Sequence, residues 1–535
     1  MIRLTDLKLP LTHTPAELRL KISETLQIPD ESVKEITIFR RGFDARKRTN
    51  IQLVYTIDVT VADEAATLAR HKNASHIRAT PPTVWVAPPR RTSPPAQRPL
   101  VIGAGPCGLL AALTLAEMGL NPIILERGKI VRERTKDTFA LWRTSTLNPE
   151  SNVQYGEGGA GTFSDGKLYS GISDPEYLGR HVLKVFVESG APEEILIVSK
   201  PHIGTFRLVT MVESLRQKIE SLGGTYRFET KVESLNTKIK PDGTRQITGV
   251  TLNTGEIIES SHVILAPGHS ARDLFIRLFH DGLAMEPKPF SIGVRIEHPQ
   301  SMIDRARFGS HAGNKILGAA DYKLVHHAHN GRAVYSFCMC PGGTVVAAAS
   351  EPGHVVTNGM SQYSRAERNA NAGLVVAITP NDYPGNAISG IELQRKLEAA
   401  AFIEGGSNYN APFQLVGDFL ANRPSTTLGD ITPSYKPGVA PADLSKILPQ
   451  YAITAIREAI PAFAQKIPGF DTANAVLTGV ETRTSSPLRV KRDKNFQSTN
   501  IEGLYPAGEG CGFAGGILSA AVDGIRVAQA LAKTI

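Results

Sequence analysis

Gly103-Ala104-Gly105-Pro106-Cys107-Gly108 sets three glycines at the spacing G-x-G-x-x-G, whose chemistry is the binding of a dinucleotide diphosphate. Gly103 permits the tight turn, Gly105 lets backbone approach the pyrophosphate, and Gly108 lets a helix pack close to a strand. The spacing alone is weak evidence, and its context makes it specific. The apolar run Leu100-Val101-Ile102 leads directly into it, and Leu109, Leu113 and Ala116 form one helical face behind it, stopped by Gly119. A second apolar run, Ile123-Ile124-Leu125, ends at Glu126, where a carboxylate accepts ribose hydroxyls, with Arg127 beside it in the same candidate site. An acid at that position argues against a 2′-phosphate, so FAD or NAD fits and NADP does not.

Two further segments choose between them. Gly503-Leu504-Tyr505-Pro506-Ala507-Gly508-Glu509-Gly510, followed by Gly515-Gly516-Ile517 and a helix to about Lys533, resembles the second FAD motif of the glutathione-reductase-like superfamily. That resemblance implies that Glu509 binds a ribityl hydroxyl and that the helix opening at Gly516 and Ile517 points its positive end at the flavin. The run His262-Val263-Ile264-Leu265 with Ala266-Pro267-Gly268 resembles the turn that closes the same domain, with Pro267 in place of the usual Thr. By the same analogy Lys231-Val232 lies where backbone meets the adenine.

The second G-x-G-x-x-G, Gly156 to Gly161, is not a second nucleotide site, because no buried strand precedes it and no amphipathic helix follows. It reads as a loop whose amides at Gly159, Gly161 and Thr162 touch the flavin or its diphosphate, with Lys167 as a charge partner. Catalytic candidates are weaker. His326, His327 and His329 are the densest titratable group, and on a strand His327 and His329 would share a face, either as loop or structural histidines or as a proton donor or acceptor. Cys338 and Cys340 also share a face, and the reading as buried small hydrophobes is favoured over a strained Cys-x-Cys disulfide. Cys511, between the ribityl turn and a helix start, is either a thiolate near the ring or a small filler. Arg483 and Arg489 could receive an anionic substrate, as could Arg295, Arg305 and Arg307, or could form salt bridges. No metal site is expected.

The elements that must position these residues follow from composition and periodicity. The chain has 535 residues, enough for two to four domains. Its four cysteines are too sparse for a disulfide framework, and no apolar run approaches the ~18 residues of a membrane span, so a cytoplasmic protein is expected. The net charge of +8 is a modest excess. Residues 1–80 read as a small α+β unit, with a capping box at Thr14 and Glu17 and an alternating strand from Ile51 to Val61. Arg40, Arg41, Arg46, Lys47 and Arg48 bracket Gly42-Phe43-Asp44, read as a basic turn. Residues 81–97 form a proline-rich linker. Residues 98–284 and 479–535 then form a Rossmann-like FAD-binding domain, βαβ with a three-layer ββα organisation. Residues 285–478 form a mixed α+β substrate or cap domain that splits it. The fold class expected is therefore α/β with these additions.

Pro99 to Gly128, Tyr155 to Lys167, Ser336-Phe337-Cys338-Met339-Cys340-Pro341-Gly342-Gly343 and Asn422-Arg423-Pro424-Ser425-Thr426-Thr427-Leu428-Gly429 together resemble a family of bacterial and plastid FAD-dependent dehydrogenases. The resemblance covers nearly the whole chain. It implies FAD binding and a fumarate-reductase-like or glycine-oxidase-like arrangement, and it carries no agreed substrate. The leading expectation is an FAD-dependent dehydrogenase or reductase for a small molecule, with an external electron donor or acceptor. The alternatives are a flavin-dependent RNA-modifying enzyme, motivated by the basic N-terminal segment, and a non-enzymatic flavin-loaded redox sensor.

Overall fold

The computed structural model describes residues 1–535. At its centre lies a parallel sheet ordered Leu504–Pro506, Val263–Leu265, Leu100–Ile102, Ile123–Leu125, Thr225–Arg227. The four strands from Leu504–Pro506 to Ile123–Leu125 are short and mostly apolar on both faces, as a parallel sheet covered on both sides requires, whereas the edge strand Thr225–Arg227 is polar. Val101, Ile124 and Ile264 point to one core, packed by the helices Pro106–Glu117, Thr205–Ser221 and Ile517–Ala532. Leu100, Ile102, Val263 and Leu265 point to the other, closed by the antiparallel strands Val232–Ile239, Arg245–Leu252 and Ile257–Glu259. Alternate residues on one strand thus feed two cores, and the α/β Rossmann-like organisation in three layers is the one the sequence implied.

The cap is an eight-stranded sheet running Val325–His327, Ala333–Ala347, Asn369–Ile378, Phe290–Pro299, Val476–Glu481, Ala411–Leu415, Val439–Pro441, with Thr357–Ser361 paired to Ala333–Ala347 off this path. The helices Ser389–Glu404 and Gln450–Ala464 pack on it. The expected return to the FAD-binding domain at 479 falls inside the strand Val476–Glu481, which pairs along Phe290–Pro299 and so belongs to the cap sheet. The two chain crossings are tied by a two-stranded ribbon, Met285–Pro287 against Leu488–Val490.

At the N-terminus the sheet order is Val33–Asp44, Gln52–Val61, Ile2–Pro10, Ile77–Ala79. The helix Pro15–Leu26 opens with a complete capping box at Thr14 and Glu17. The basic segment differs from the expected turn: Arg40 to Asp44 continue the strand, because Asp44 still pairs with Gln52. Arg41 also donates its amide to Ile197 O at 2.7 Å and accepts from Ser199 N at 2.8 Å, so this strand edge is docked on the FAD-binding domain. Phe43 meets Phe308 edge-on at 5.7 Å, and the N-terminal core is continuous with that of the cap. The proline-rich residues between Ala79 and Leu100 form no regular element. They lie against the FAD-binding domain, with Trp85 on His181 at 4.1 Å and Arg91 N bonded to Met118 O. No helix is long and apolar enough to cross a membrane.

Candidate cofactor and substrate cleft

Four parallel strands end at the same edge, and each runs straight into a site segment: Ile102 into Gly103, Leu125 into Glu126, Leu265 into Ala266, Pro506 into Ala507. The carboxyl edge of an open α/β sheet is where such folds bind ligands. Between this edge and the cap lies a cavity of about 670 Å³, within the range of cofactor and small-molecule sites. It brings together Gly103, Gly105, Pro106, Cys107, Glu126, Arg127, Gly159, Gly161, Lys167, Val232, Ala266, Gly268, Arg483, Gly508, Glu509, Gly516 and Ile517. Ala104, Gly108, Thr162, His327, His329 and Cys511 do not line it.

The glycines explain the shape of the wall. A Cβ on Gly108 would stand 1.9 Å from Gly103 O, and one on Gly103 would stand 2.3 Å from Ala266 O, so both positions need the bare backbone to close the turn. The second glycine loop reaches the first: a Cβ on Gly159 would stand 2.8 Å from Gly105 Cα. Buried Arg134 holds that loop by donating to the carbonyls of Asn152, Val153, Gly156 and Glu157 at 2.7 to 3.2 Å. Burial lowers the Arg134 pKa to about 10. Thr162 lies in the same frame, 3.5 Å from Arg134, behind the cavity surface.

These residues fit an FAD. The helices Pro106–Glu117 and Ile517–Ala532 both start at the cavity, have no side-chain cap, and carry no acidic residue in the first turn. Their unpaired amides and positive ends are therefore left for an anionic ligand. Gly268, Gly515 and Gly516 face open cavity with nothing within 4 Å of an added Cβ. Glu126 is bound from inside: its carboxylate accepts from Ala104 N, Gly128 N and Gly156 N, each at 2.9 Å. It holds the two glycine loops together and also presents a surface to the cavity.

Charged side chains frame the remainder. Arg127 pairs with Glu150 and Asp273 and lies 4.0 Å above the Tyr155 ring. Arg483, considered as an anion receptor, instead donates to the Glu398 carboxylate and to Ser270 Oγ and Ser350 Oγ. Glu398 is also gripped by Arg272 at 2.5 Å, and the two arginines hold its carboxyl well below the usual carboxylate range against the opposing effect of burial. Arg295 is a second buried strut, paired with Glu481 at 2.9 Å. Arg489 is half exposed, 4.0 Å from Glu286.

Of the two readings open for the histidines and for Cys511, the structure favours the structural one in each case, and the shared strand face of His327 and His329 is corrected. The strand ends at His327, so His329 does not share a strand face with it. His329 is 95% exposed and bonds Glu458, as does His326, on the outer face of the cap. Cys511 is fully buried and donates its S–H to Leu265 O at 3.2 Å; burial pushes its pKa up to about 12, which makes it a small filler and not a thiolate. The residue that sequence reasoning missed is His269. It lines the cavity, sets Nδ1 3.4 Å from Glu509 Oε1, and leaves Nε2 without a protein partner. The local signal was its position directly after the Ala266-Pro267-Gly268 turn.

A Rossmann-type sheet whose carboxyl edge opens into a glycine-lined cleft under a sheet-built cap defines the class of FAD-binding proteins with an oxidoreductase-like fold. Residues 289–484 match the family model described as FAD-dependent protein, C-terminal domain-like, and residues 1–60 match a domain of unknown function. A protein of Clostridium beijerinckii described as "Uncharacterized protein" is 44% identical over 531 residues, 99% of this chain and 98% of that one. The chain belongs to the same family as this protein, its residues 289–484 carry the FAD-dependent C-terminal domain, and its cofactor is FAD.

Among solved structures, L-proline dehydrogenase from P. horikoshii is similar at 15% identity, covering 82% of this chain and 94% of that one, with a TM-score of 0.33. Glycine oxidase from Geobacillus kaustophilus is similar at 11% identity, covering 81% and 94%, with a TM-score of 0.34. A mutant of the halogenase PltM in complex with FAD is similar at 13%, covering 82% and 70%, with a TM-score of 0.37.

Proposed function

We propose that the chain is an FAD-dependent dehydrogenase or reductase acting on a small molecule held between the glycine-lined wall and the cap. The observation that carries this reading is the shared cavity: Gly103, Gly105, Pro106, Cys107 and the segments Gly508–Glu509 and Gly515–Ile517 line one side, and Ser336–Met339 and Asn358 of the cap line the other. Bound FAD supplies the hydride-accepting or hydride-donating centre, at flavin N5. The chain's own residues then have to bind, orient and handle a proton. Glu126 accepts ribose hydroxyls, the backbone at Val232 meets the adenine, and Glu509 takes a ribityl hydroxyl. The two uncapped helix starts neutralise the diphosphate and the reduced ring. His269, with Nδ1 against Glu509 and Nε2 free of protein partners, is the group that holds and moves a proton at the cavity.

The cap lies over this space, and electrons enter or leave through an external donor or acceptor. The RNA-modifying alternative keeps the exposed side chains of Arg40, Arg46, Lys47 and Arg48 as its motive, although the Arg41 backbone is docked on the FAD-binding domain and Arg46 is paired with Asp44. The test is anaerobic reduction of the purified yellow protein by NADH, NADPH and a panel of small reductants, followed through the oxidised flavin bands. Bleaching by one of them supports the enzyme. A yellow protein that no reductant and acceptor pair turns over favours a redox sensor instead, and a colourless protein that takes up no FAD removes the reading altogether.

A further inference from the structure

The cap wall carries a feature apart from the glycine turns. The strand Ala333–Ala347 loses its register between Phe337 and Cys340, and within this bulge Cys338 adopts φ +42°, a left-handed conformation unfavourable for a side chain. The distortion turns Cys338 into the cavity, where it is partly exposed, whereas Cys107, Cys340 and Cys511 are buried. Across from it stands Lys167, from the segment after the second glycine loop. Its Nζ donates to the Met339 carbonyl and lies 3.9 Å from Cys338 Sγ and 4.0 Å from Cys340 Sγ. The carboxylates that could neutralise this ammonium are already engaged: Asp165 with Arg365 at 2.5 Å, and Glu481 with Arg295 at 2.9 Å. The phenols facing the group, Tyr169 and Tyr322, have raised pKa values through burial and stay neutral. A cation in a cavity that a ligand closes to water needs an anion, and sulfur is what the protein places beside it.

We propose that Cys338 is the nucleophile of the cleft, a thiolate held by Lys167, and that it takes a soft carbon electrophile, an alkene conjugated to a carbonyl. In that step the sulfur bonds the β-carbon, the alkene π pair shifts toward the carbonyl, and the α-carbon then takes a proton from solvent. Lys167 serves both states, since it faces the thiolate beforehand and the oxyanion character that develops as the thiolate charge leaves. Disulfide chemistry is less well served: Cys340 is buried, and a Cys-x-Cys bridge would close a small, strained ring. The facing Cys340 S–H, then Lys167 and Arg295, hold the Cys338 thiol well below its ordinary value against the opposing effect of burial, while Cys340 is pushed up and keeps its proton.

The inference deepens the oxidoreductase reading by naming a substrate class for the same cavity, and its test is read independently of flavin turnover. The FAD-loaded protein, checked by its visible bands, is treated with acrylamide from pH 6 to pH 8, and modified cysteines are mapped by peptide mass spectrometry. Cys338 is expected to be the one cysteine of four modified quickly, at a rate that changes less than about threefold across the range. An ordinary thiol loses about tenfold in rate per pH unit below its pKa, and Lys167→Met should bring Cys338 to that steep profile. Should Lys167→Met fail to fold, the wild-type profile decides alone. A wild-type Cys338 that is unmodified, or whose rate falls tenfold per unit, overturns the proposal. A colourless preparation with the flat profile would count against the FAD reading and leave the thiolate standing.

Discussion

The two walls of the cleft differ in what they show the ligand. The sheet wall meets it with backbone, at Gly103, Gly105 to Cys107, Gly159 to Gly161 and Gly515 to Ile517, and owes its charge to helix starts. The wall under the cap meets it with side chains whose partners come from distant segments: Cys338 with Lys167, Arg483 with Glu398. A backbone wall tolerates no added atom at its turns and is indifferent to the identity of most side chains. A side-chain wall depends on charge balance, and a single substitution leaves a partner stranded.

The largest effect should come from the backbone wall. Gly108→Val puts a Cβ where Gly103 O lies 1.9 Å away, and the expected outcome is a colourless or insoluble protein, read by flavin absorbance of the purified fraction. Gly515→Ala, with nothing within 4 Å of the new Cβ, should fold as the wild type does and lose only flavin occupancy. A loss of folding there would break the distinction between closing the turn and shaping the cavity.

On the other wall, Glu398→Gln removes the carboxylate that Arg272 and Arg483 share, leaving Arg272 with Glu351 and Gln394 and Arg483 with two serine hydroxyls, and should cost about 3 kcal/mol in urea unfolding, with FAD retained under native conditions. The pH dependence has a definite sign. Glu398 has a folded pKa depressed below its ordinary 4.5. Its ionic stabilisation is therefore full above about pH 4.5 and is lost as pH falls toward the folded value. Wild-type stability should drop more steeply between pH 5 and pH 3 than that of Glu398→Gln, measured by unfolding midpoints; parallel curves would show the strut to be dispensable.

A smaller change is expected from Glu126→Gln. Its carboxylate accepts three amides that join the glycine loops, so FAD affinity should fall by about tenfold, near 1.5 kcal/mol for a charge-assisted bond, in equilibrium flavin titration. His329→Ala, on an exposed side chain outside the cavity, should leave flavin content, melting temperature and turnover unchanged. An effect on turnover would mean that the outer face of the cap reaches the chemistry.

Legibility in the sequence tracks this division between the walls. The turns at Gly103, Ala266 and Gly508 each follow a short apolar run, and run and turn are contiguous, so their roles could be read without knowing what they face. The strand carrying Arg40 and Arg41 was not legible in the same way: glycine and charge suggested a turn at Gly42, and pairing with Gln52–Val61 overrode that preference. The return of the chain to the FAD-binding domain was misplaced for the same reason, since Val476–Glu481 is recruited by its long pairing partner in the cap. The histidines lie off the cavity, in keeping with their reading as loop or structural residues, and their density in sequence alone could not have placed them relative to the cleft.

By itself, the amino-acid sequence determined an α/β protein with a split FAD-binding domain, because each piece of the glycine-lined wall is a backbone conformation encoded by a few neighbouring residues. Only the tertiary structure decided which side chains carry charge into the cleft. Lys167 and Cys338 are 171 positions apart and Arg483 and Glu398 are 85 apart. A thiolate, a strut or a proton carrier is defined by what stands a few ångströms from it in space, and the packing of the cap on the sheet edge sets that distance.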